Sequence, residues 1–580
     1  MVITSKNIKD FSLLVDHFNK YKAFDPSRFR LEGEDLKVNS FFRRAFFFSY
    51  HKSPHSEKMR RHFTGLIRLI NAQDYGDLEH RIEGVFRKAH FSAQVHRYNQ
   101  INSEGAFPLI EMANLPLQLR RFSTENDRVD VVGVDVPEPL HQGGWWEKLT
   151  GARRYPGDVS GAYHLFIEAP RIGFRTQCEK IKAWFAPKKF GYDRNGGAER
   201  QVRLGGTLPT PWVEKSGPES WFMGHASLFL QIPIKAVSGD HTRVFSVMTD
   251  PVEGGITGFP RQTKDVALVD SIPIPDVLTI THNHMDHLDE KTLRKWGSLP
   301  LSAQPTVFVP QGERARFLKM GFSSEKIISM DWWREREVTF QRDGKEYKLR
   351  IIGTPSRHWS GTPTGGFSSA YLGYIFLGGE GGGIYFSGDT AVLSDAHTRR
   401  LRDLFSQRGV KFYFGPGGPD GTPTDREDLK TSHVSSSETL AQYMEFFFNL
   451  EGCNTWEDFK IDARGKKLLA IHTMTLKMGT TFRNETRESW SRLLRALEIS
   501  SDRGLISYEK GPFSKLNRFI TDAQDKYQSD APVEQIRREF VQLLRETIVI
   551  PKIGSAITLT GSKESQQEKT CDLLLPPAAL

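Results

Sequence analysis

Apolar and polar positions change rhythm along this chain. In the first 130 residues the spacing is helical. Phe11, Leu13, Leu14, Val15, Phe18 and Tyr21 follow a 3.6-residue repeat, as do Leu66, Ile67, Leu69 and Ile70. The run Phe41 to Phe48 mixes aromatics with Arg43 and Arg44, which suits a buried element whose arginines reach out to water. The same mixture could serve a membrane surface. Residues 131 to 215 are dense in Gly, Pro and Trp. Gly143-Gly144-Trp145-Trp146 and Gly196-Gly197 mark turns in a connector.

From Trp221 the pattern becomes strand-like. Trp221 to Leu230, Val244 to Asp250, Val277 to Thr281, Tyr371 to Leu377, Ile384 to Ser387 and Leu468 to Ile471 are short, mostly apolar and interrupted by helical stretches. Gly378 to Gly383 lies between two of them as a hairpin turn; it lacks the Gly-Lys-Ser/Thr ending of a phosphate cradle. Asp289 is placed to cap a helix starting near Glu290. Strand blocks separated by helices predict a layered α/β core. A helix over Val533 to Thr547 precedes a polar, then Leu/Pro-rich tail. The expected organisation is a mainly helical accessory region (1–130), a connector (131–215), a hydrolase domain (216–512) and a helical extension with a loose tail (513–580).

Length and composition add little to this. At 580 residues, 38% hydrophobic and 26% charged, the chain is expected to be a soluble protein of several domains. No apolar run reaches the roughly 18–20 residues needed to span a bilayer. The start, Met1 to Asn7, shows no basic-then-apolar signal, so cytoplasmic localisation is expected, with peripheral membrane contact. Three dispersed cysteines form neither a zinc motif nor a disulfide framework. The net charge of +9 is mild for this length. No stripe of basic and aromatic residues accompanies it, so nucleic acid is not the expected partner.

The chemistry is concentrated in Thr281-His282-Asn283-His284-Met285-Asp286-His287-Leu288-Asp289, directly after an apolar strand. Imidazole and carboxylate hold hard or borderline divalent cations and leave positions open for water. Further donors recur at strand ends: His358 in Thr354-Pro355-Ser356-Arg357-His358-Trp359, Asp389 in Phe386-Ser387-Gly388-Asp389-Thr390, and His472 after Leu469-Ala470-Ile471. His225, in Gly224-His225-Ala226, suits a packed neighbour of the site better than a ligand. Trp332 and Trp333 suit packing better than stacking on a substrate.

This set, in this order, resembles the metallo-β-lactamase superfamily. The form of the motif, with Gly224-His225-Ala226, Thr249-Asp250-Pro251, Asp331-Trp332-Trp333 and His433-Val434, resembles its N-acylphosphatidylethanolamine-hydrolysing phospholipase D branch over residues 216–512. The resemblance implies an αββα sandwich. It implies two divalent ions, zinc in the first place with iron or manganese compatible. His282, His284 and His358 would hold the first ion; Asp286, His287 and His472 the second; Asp389 would bridge them. Asp286, Asp389 and His433 would be the catalytic residues, with His433 binding a phosphate oxygen or protonating the leaving alkoxide. The implied reaction is hydrolysis of N-acylphosphatidylethanolamine or a related phospholipid through a metal-bridging hydroxide. The alternative is a soluble metallohydrolase acting on a lactone, a small phosphodiester or nucleic acid. The oligomeric state is not legible.

Overall fold

The computed structural model describes residues 217–253, 272–342, 344–362, 369–379, 381–418, 429–472, 485–527, 533–551 and 556–559, with the backbone of four short strands before them. The chain divides into two compact units, Met1–Gly105 and Ala106–Leu580. In the first, β1 (Val2–Ile3), β2 (Phe29–Glu32) and β3 (Asp35–Val38) form an antiparallel sheet in the order β1-β3-β2. The helices expected around Phe11 to Tyr21 and Leu66 to Ile70, and the Phe41 to Phe48 run, lie outside the described residues.

The second unit is built on two sheets. One contains β5 (Glu219–Gly224), β6 (Ser227–Lys235), β7 (Thr242–Thr249), β8 (Val277–Thr279), β9 (Thr306–Pro310), β10 (Ile327–Met330) and β18 (Ala556–Thr558), in the order β10-β9-β8-β7-β6-β5-β18. The other contains β4 (Arg128–Val134), β11 (Glu335–Arg342), β12 (Lys345–Pro355), β13 (Leu372–Leu377), β14 (Gly383–Phe386), β15 (Val410–Pro416), β16 (Lys467–Ile471) and β17 (Ile548–Val549), in the order β17-β16-β15-β14-β13-β12-β11-β4. Strand β4 crosses the boundary expected at residue 130, pairing along its whole length with β11.

Helices connect the parallel strands. α1 (Glu290–Gly297) and α2 (Arg314–Lys319) serve the first sheet. α3 (Asp395–Arg408), α4 (Ser436–Phe447), α5 (Trp456–Arg464), α6 (Glu485–Glu498), α7 (Lys510–Tyr527) and α8 (Val533–Thr547) serve the second. The result is the αββα layering that the alternation of strands and helices predicts. α7 crosses the boundary expected at residue 512. Beyond it, Phe519 and Phe540 pack with Phe448, Trp456 and Phe459 into one aromatic cluster. After α8 the chain adds β17 to one sheet and β18 to the other.

The two sheets face each other across one continuous core. Phe245 of β7 stacks on Phe340 of β11 with centroids 4.3 Å apart. The Tyr374 hydroxyl of β13 donates to the Ile280 carbonyl at 2.7 Å, just ahead of the His-rich loop. β6 is buried at every position but its last, which is why Leu228 to Leu230 and Ile232 to Ile234 are apolar on either side of a buried Gln231. β11 alternates instead, with Val338, Phe340 and Arg342 on the buried face.

One expected strand is two. Trp221 to Leu230 folds back at Gly224-His225-Ala226, with φ of +110° at Gly224 and +56° at His225. Strands β5, β7 and β8 of one sheet run the same way, as do β12, β14 and β16 of the other. Each is followed by at least one candidate site residue.

Candidate metal centre

Asp289 caps α1, accepting from the Lys291 amide at 3.0 Å, and so ends the loop that carries four of the expected donors. Within that loop Asn283 is fully buried. Its Nδ2 donates to Glu313 Oε1 at 3.0 Å, and its Oδ1 accepts from the Gly361 amide at 2.8 Å. It therefore clamps the His282–His287 loop to the loop that follows His358. Asn283→Ala removes the partner of Glu313 Oε1, whose other oxygen keeps Arg316 at 3.6 Å, and that of the Gly361 amide, and costs roughly 1–3 kcal/mol. A urea midpoint unchanged from wild type would show that the clamp does not matter.

The imidazole tautomers follow from their partners. Thr281 Oγ1 donates to Asp250 Oδ2 at 2.7 Å, so it accepts from His282 Nδ1 at 2.9 Å. His287 Nδ1 donates to Asp250 Oδ2 at 2.7 Å, and His358 Nδ1 donates to the Ser432 carbonyl at 2.7 Å. His282 and His358 are each left with an Nε2 lone pair facing the centre, and His287 turns its Nε2 toward Asp389. Such outer partners set the tautomer and the ring direction of metal-binding histidines.

His282 Nε2 lies 2.9 Å from His284 Nδ1, and His358 Nε2 lies 3.1 Å from the same atom. One proton on His284 Nδ1 can satisfy only one of these lone pairs. A cation satisfies all three nitrogens together. These three side chains form one cluster of potential ligands. A second contains Asp286, His287 and His472, joined by His225. Asp389 stands between the two. Its Oδ2 lies 3.1 Å from His472 Nε2, 3.3 Å from His287 Nε2, 3.6 Å from His433 Nδ1 and 3.9 Å from His358 Nε2. Its Oδ1 is buried and has no hydrogen-bond partner, as is true of His284 Nε2. All seven expected ligands and His433 are thus brought together. Gly388 makes the close approach possible: it has φ of +59°, and a Cβ there would come within 2.6 Å of the Thr281 side chain.

The electrostatics describe the same demand. Burial alone would raise the Asp286 and Asp389 carboxyls, yet both are held well below the usual range, Asp286 by His287 and His225 and Asp389 by His287 and His472. Burial alone would lower His287 and His472. Asp389, Asp286 and Asp250 instead push His287 well above its ordinary value, and Asp389 with Asp286 pushes His472 up to about 9. Burial drives His282, His284 and His433 well below theirs. Protonated imidazoles therefore supply the charge that divalent cations would supply, a competition that makes metal binding release protons. The donor set, the lone-pair crowding and the partnerless carboxylate oxygen fit divalent metal ions.

Asp250 was not among the expected site residues. It sits at the end of β7 with φ of +35° and is fully buried. The available signal was a carboxylate ending an apolar strand just before Pro251. Trp359 also reaches the site, with its ring centroid 3.9 Å from that of His284. Trp332 and Trp333 do pack: both are buried, Trp332 Nε1 donates to the Tyr371 carbonyl, and Arg400 lies over Trp333.

The chain is similar in sequence to known proteins. The beta-lactamase superfamily domain profile matches residues 246–407. A Saccharomyces cerevisiae protein named N-acyl-phosphatidylethanolamine-hydrolyzing phospholipase D, mitochondrial, is 27% identical over 178 residues, 30% of this chain and 36% of that one. The Caenorhabditis elegans N-acyl-phosphatidylethanolamine-hydrolyzing phospholipase D 1 is 23% identical over 312 residues, 51% of this chain and 75% of that one. The solved structure of CmlA, a diiron beta-hydroxylase from Streptomyces venezuelae, aligns with 54% of this chain and 52% of its own at 15% identity and a TM-score of 0.29. Residues 246–407 thus match a beta-lactamase superfamily domain, and the chain resembles the N-acylphosphatidylethanolamine-hydrolysing phospholipase D branch of that superfamily.

Proposed function

We propose that this protein is a metal-dependent phosphodiesterase of the phospholipase D type, acting on N-acylphosphatidylethanolamine or a related phospholipid. The observation that carries the reading is the convergence of two donor clusters on either side of Asp389 Oδ2. The names of the yeast and nematode relatives support the substrate class. His282, His284 and His358 would hold one divalent ion, and Asp286, His287 and His472 a second, with Asp389 shared. Zinc is the proposed metal, while imidazole and carboxylate also suit iron and manganese. Bound there, such ions polarise a phosphoryl oxygen and acidify water.

The chain's own residues do the rest. Asp286 and Asp389 supply the anionic charge that keeps cations in a buried site. Asp250 and Ser432 fix the His287 and His358 rings. His433 is buried, with Nδ1 3.6 Å from Asp389, and is placed to bind a phosphoryl oxygen or to protonate the departing alkoxide. Met285, 45% exposed between two donors, and the half-buried Trp359 give the rim an apolar lip suited to a lipid chain. Among the described residues no helix is long and apolar enough to cross a membrane. Peripheral contact from the cytoplasmic side is the proposed way to the substrate.

The test is product analysis. Zinc-loaded protein is incubated with N-acylphosphatidylethanolamine in mixed micelles, and mass spectrometry follows both products. Metal-dependent appearance of N-acylethanolamine together with phosphatidate is expected. Absence of both from folded, metal-loaded protein would end the lipid reading and make a lactone or small phosphodiester the next substrate.

A further inference from the structure

Three of the five non-glycine residues with positive φ among the described residues meet at this centre: His225 at +56°, Asp250 at +35° and His472 at +58°. Left-handed backbone costs a non-glycine residue about 1–3 kcal/mol and persists where the surroundings impose it. Asp250 orients His287, and His472 belongs to the second donor cluster. His225 has no assigned task, yet it is 2% exposed and touches both halves of that cluster. Its Nε2 lies 3.0 Å from Asp286 Oδ2. Its ring centroid is 3.9 Å from that of His472, and its carbonyl accepts the His472 amide at 2.7 Å. The turn between β5 and β6 thus binds the two ends of the second cluster, which are far apart in sequence.

We propose that His225 is the positioning residue of the second cation site: its Nε2–H holds Asp286 by Oδ2, while its carbonyl and ring seat His472. This assignment rests on the two-cation reading of the centre. The bond from this neutral donor holds Oδ2 where it also lies 3.8 Å from His287 Nε2 and 3.8 Å from His472 Nε2, facing the rest of the second cluster. The carbonyl-to-amide bond fixes where β16 ends and where the His472 side chain starts. A glycine at position 225 would relieve the backbone but could do only the second of these tasks, which gives a physical reason for histidine in a strained turn. The second cation is therefore the one whose retention depends on this turn, and the His282, His284 and His358 cluster is not touched by it.

The experiment compares full-length wild type with His225→Phe and His225→Gln. Phenylalanine keeps ring bulk without the donor; glutamine restores an N–H at similar reach. Each protein is loaded with zinc, dialysed and analysed for bound metal, and the affinity of the weaker ion is read by chelator competition. The metal-free melting temperature serves as the folding control. Wild type is expected to hold two ions. His225→Phe should bind the weaker ion about 10–100-fold less tightly, the range for loss of an outer partner of a metal ligand, while the tighter ion and the metal-free melting temperature stay as in wild type. His225→Gln should recover most of the loss. Two ions at wild-type affinity in His225→Phe would overturn the proposal and leave the metal centre standing. Glutamine binding no better than phenylalanine would also overturn it, because His225 would then act as a direct ligand. A wild type that binds no zinc would overturn the metal centre and this assignment together.

Discussion

Asp389→Asn abolishes turnover, by on the order of 10³-fold or more, strips metal from the protein and lowers its metal-free stability. The substitution keeps the shape of the side chain and removes one charge. That charge matters because Asp389 Oδ2 is the point nearest to both donor clusters, with four imidazole nitrogens within 3.9 Å. Two divalent ions placed among neutral imidazoles repel each other, and a shared carboxylate is the group that offsets this. An amide offers one neutral oxygen and an NH2 that would face His287 and His472. Metal content by elemental analysis and turnover on the mixed micelles check the expectation together. Full metal content with turnover within tenfold of wild type would remove Asp389 from the centre of the reaction.

The stability half of that expectation follows from the metal-free state. Asp389 is a buried carboxylate held well below the usual range by His287 and His472, so its charge stabilises the folded metal-free protein at neutral pH. Asparagine removes that charge and leaves the protonated His287 and His472 without it, so the metal-free melting temperature should fall. An unchanged metal-free melting temperature would mean that the three groups do not form a stabilising ion cluster.

The ligand candidates were legible because each closes a short apolar run. Val277 to Ile280 delivers His282, and Leu468 to Ile471 delivers His472. A strand end holds a side chain at a fixed point, and parallel strands send their ends to the same edge. What holds those side chains was not legible. His358 is fixed by a carbonyl 74 residues later, at Ser432, and His287 by a carboxylate 37 residues earlier, at Asp250. No spacing rule links such pairs, since each joins loops that follow different strands of one sheet. The turn at Gly224-His225-Ala226 was hidden differently. Apolar residues continue on both sides of it, and the break between them, Gly224-His225-Ala226-Ser227, is only four residues long. Helical spacing after residue 512 was visible. That β17 and β18 then join different sheets depends on pairing partners about 80 residues earlier for β17 and more than 300 residues earlier for β18.

Arg342→Met is expected to destabilise the second unit by about 3–5 kcal/mol, the cost of removing one partner from a buried ion pair. The alternation along β11 places Arg342 on its inner face beside Val338 and Phe340, where it is 1% exposed. Its guanidinium pairs with Asp276 of the opposite sheet and lies 4.5 Å from the Phe245 ring centroid. Asp276 Oδ2 meanwhile accepts from the Ser246 amide at 2.8 Å and from its hydroxyl at 2.9 Å. Methionine fills the space over Phe245, so the loss is not a cavity effect. It comes from a carboxylate left in a dry interior. Adding Asp276→Asn to the same chain removes the stranded charge while keeping an oxygen for Ser246, and should return most of the lost stability. Urea unfolding of the single and double variants reads both steps. A single variant within about 1 kcal/mol of wild type would mean that Asp276 reaches water once Arg342 is gone. A double variant no better than the single would place the cost in packing. The pair stands immediately before β8, the strand that carries the His-rich loop, so the same unfolding should be accompanied by loss of bound metal.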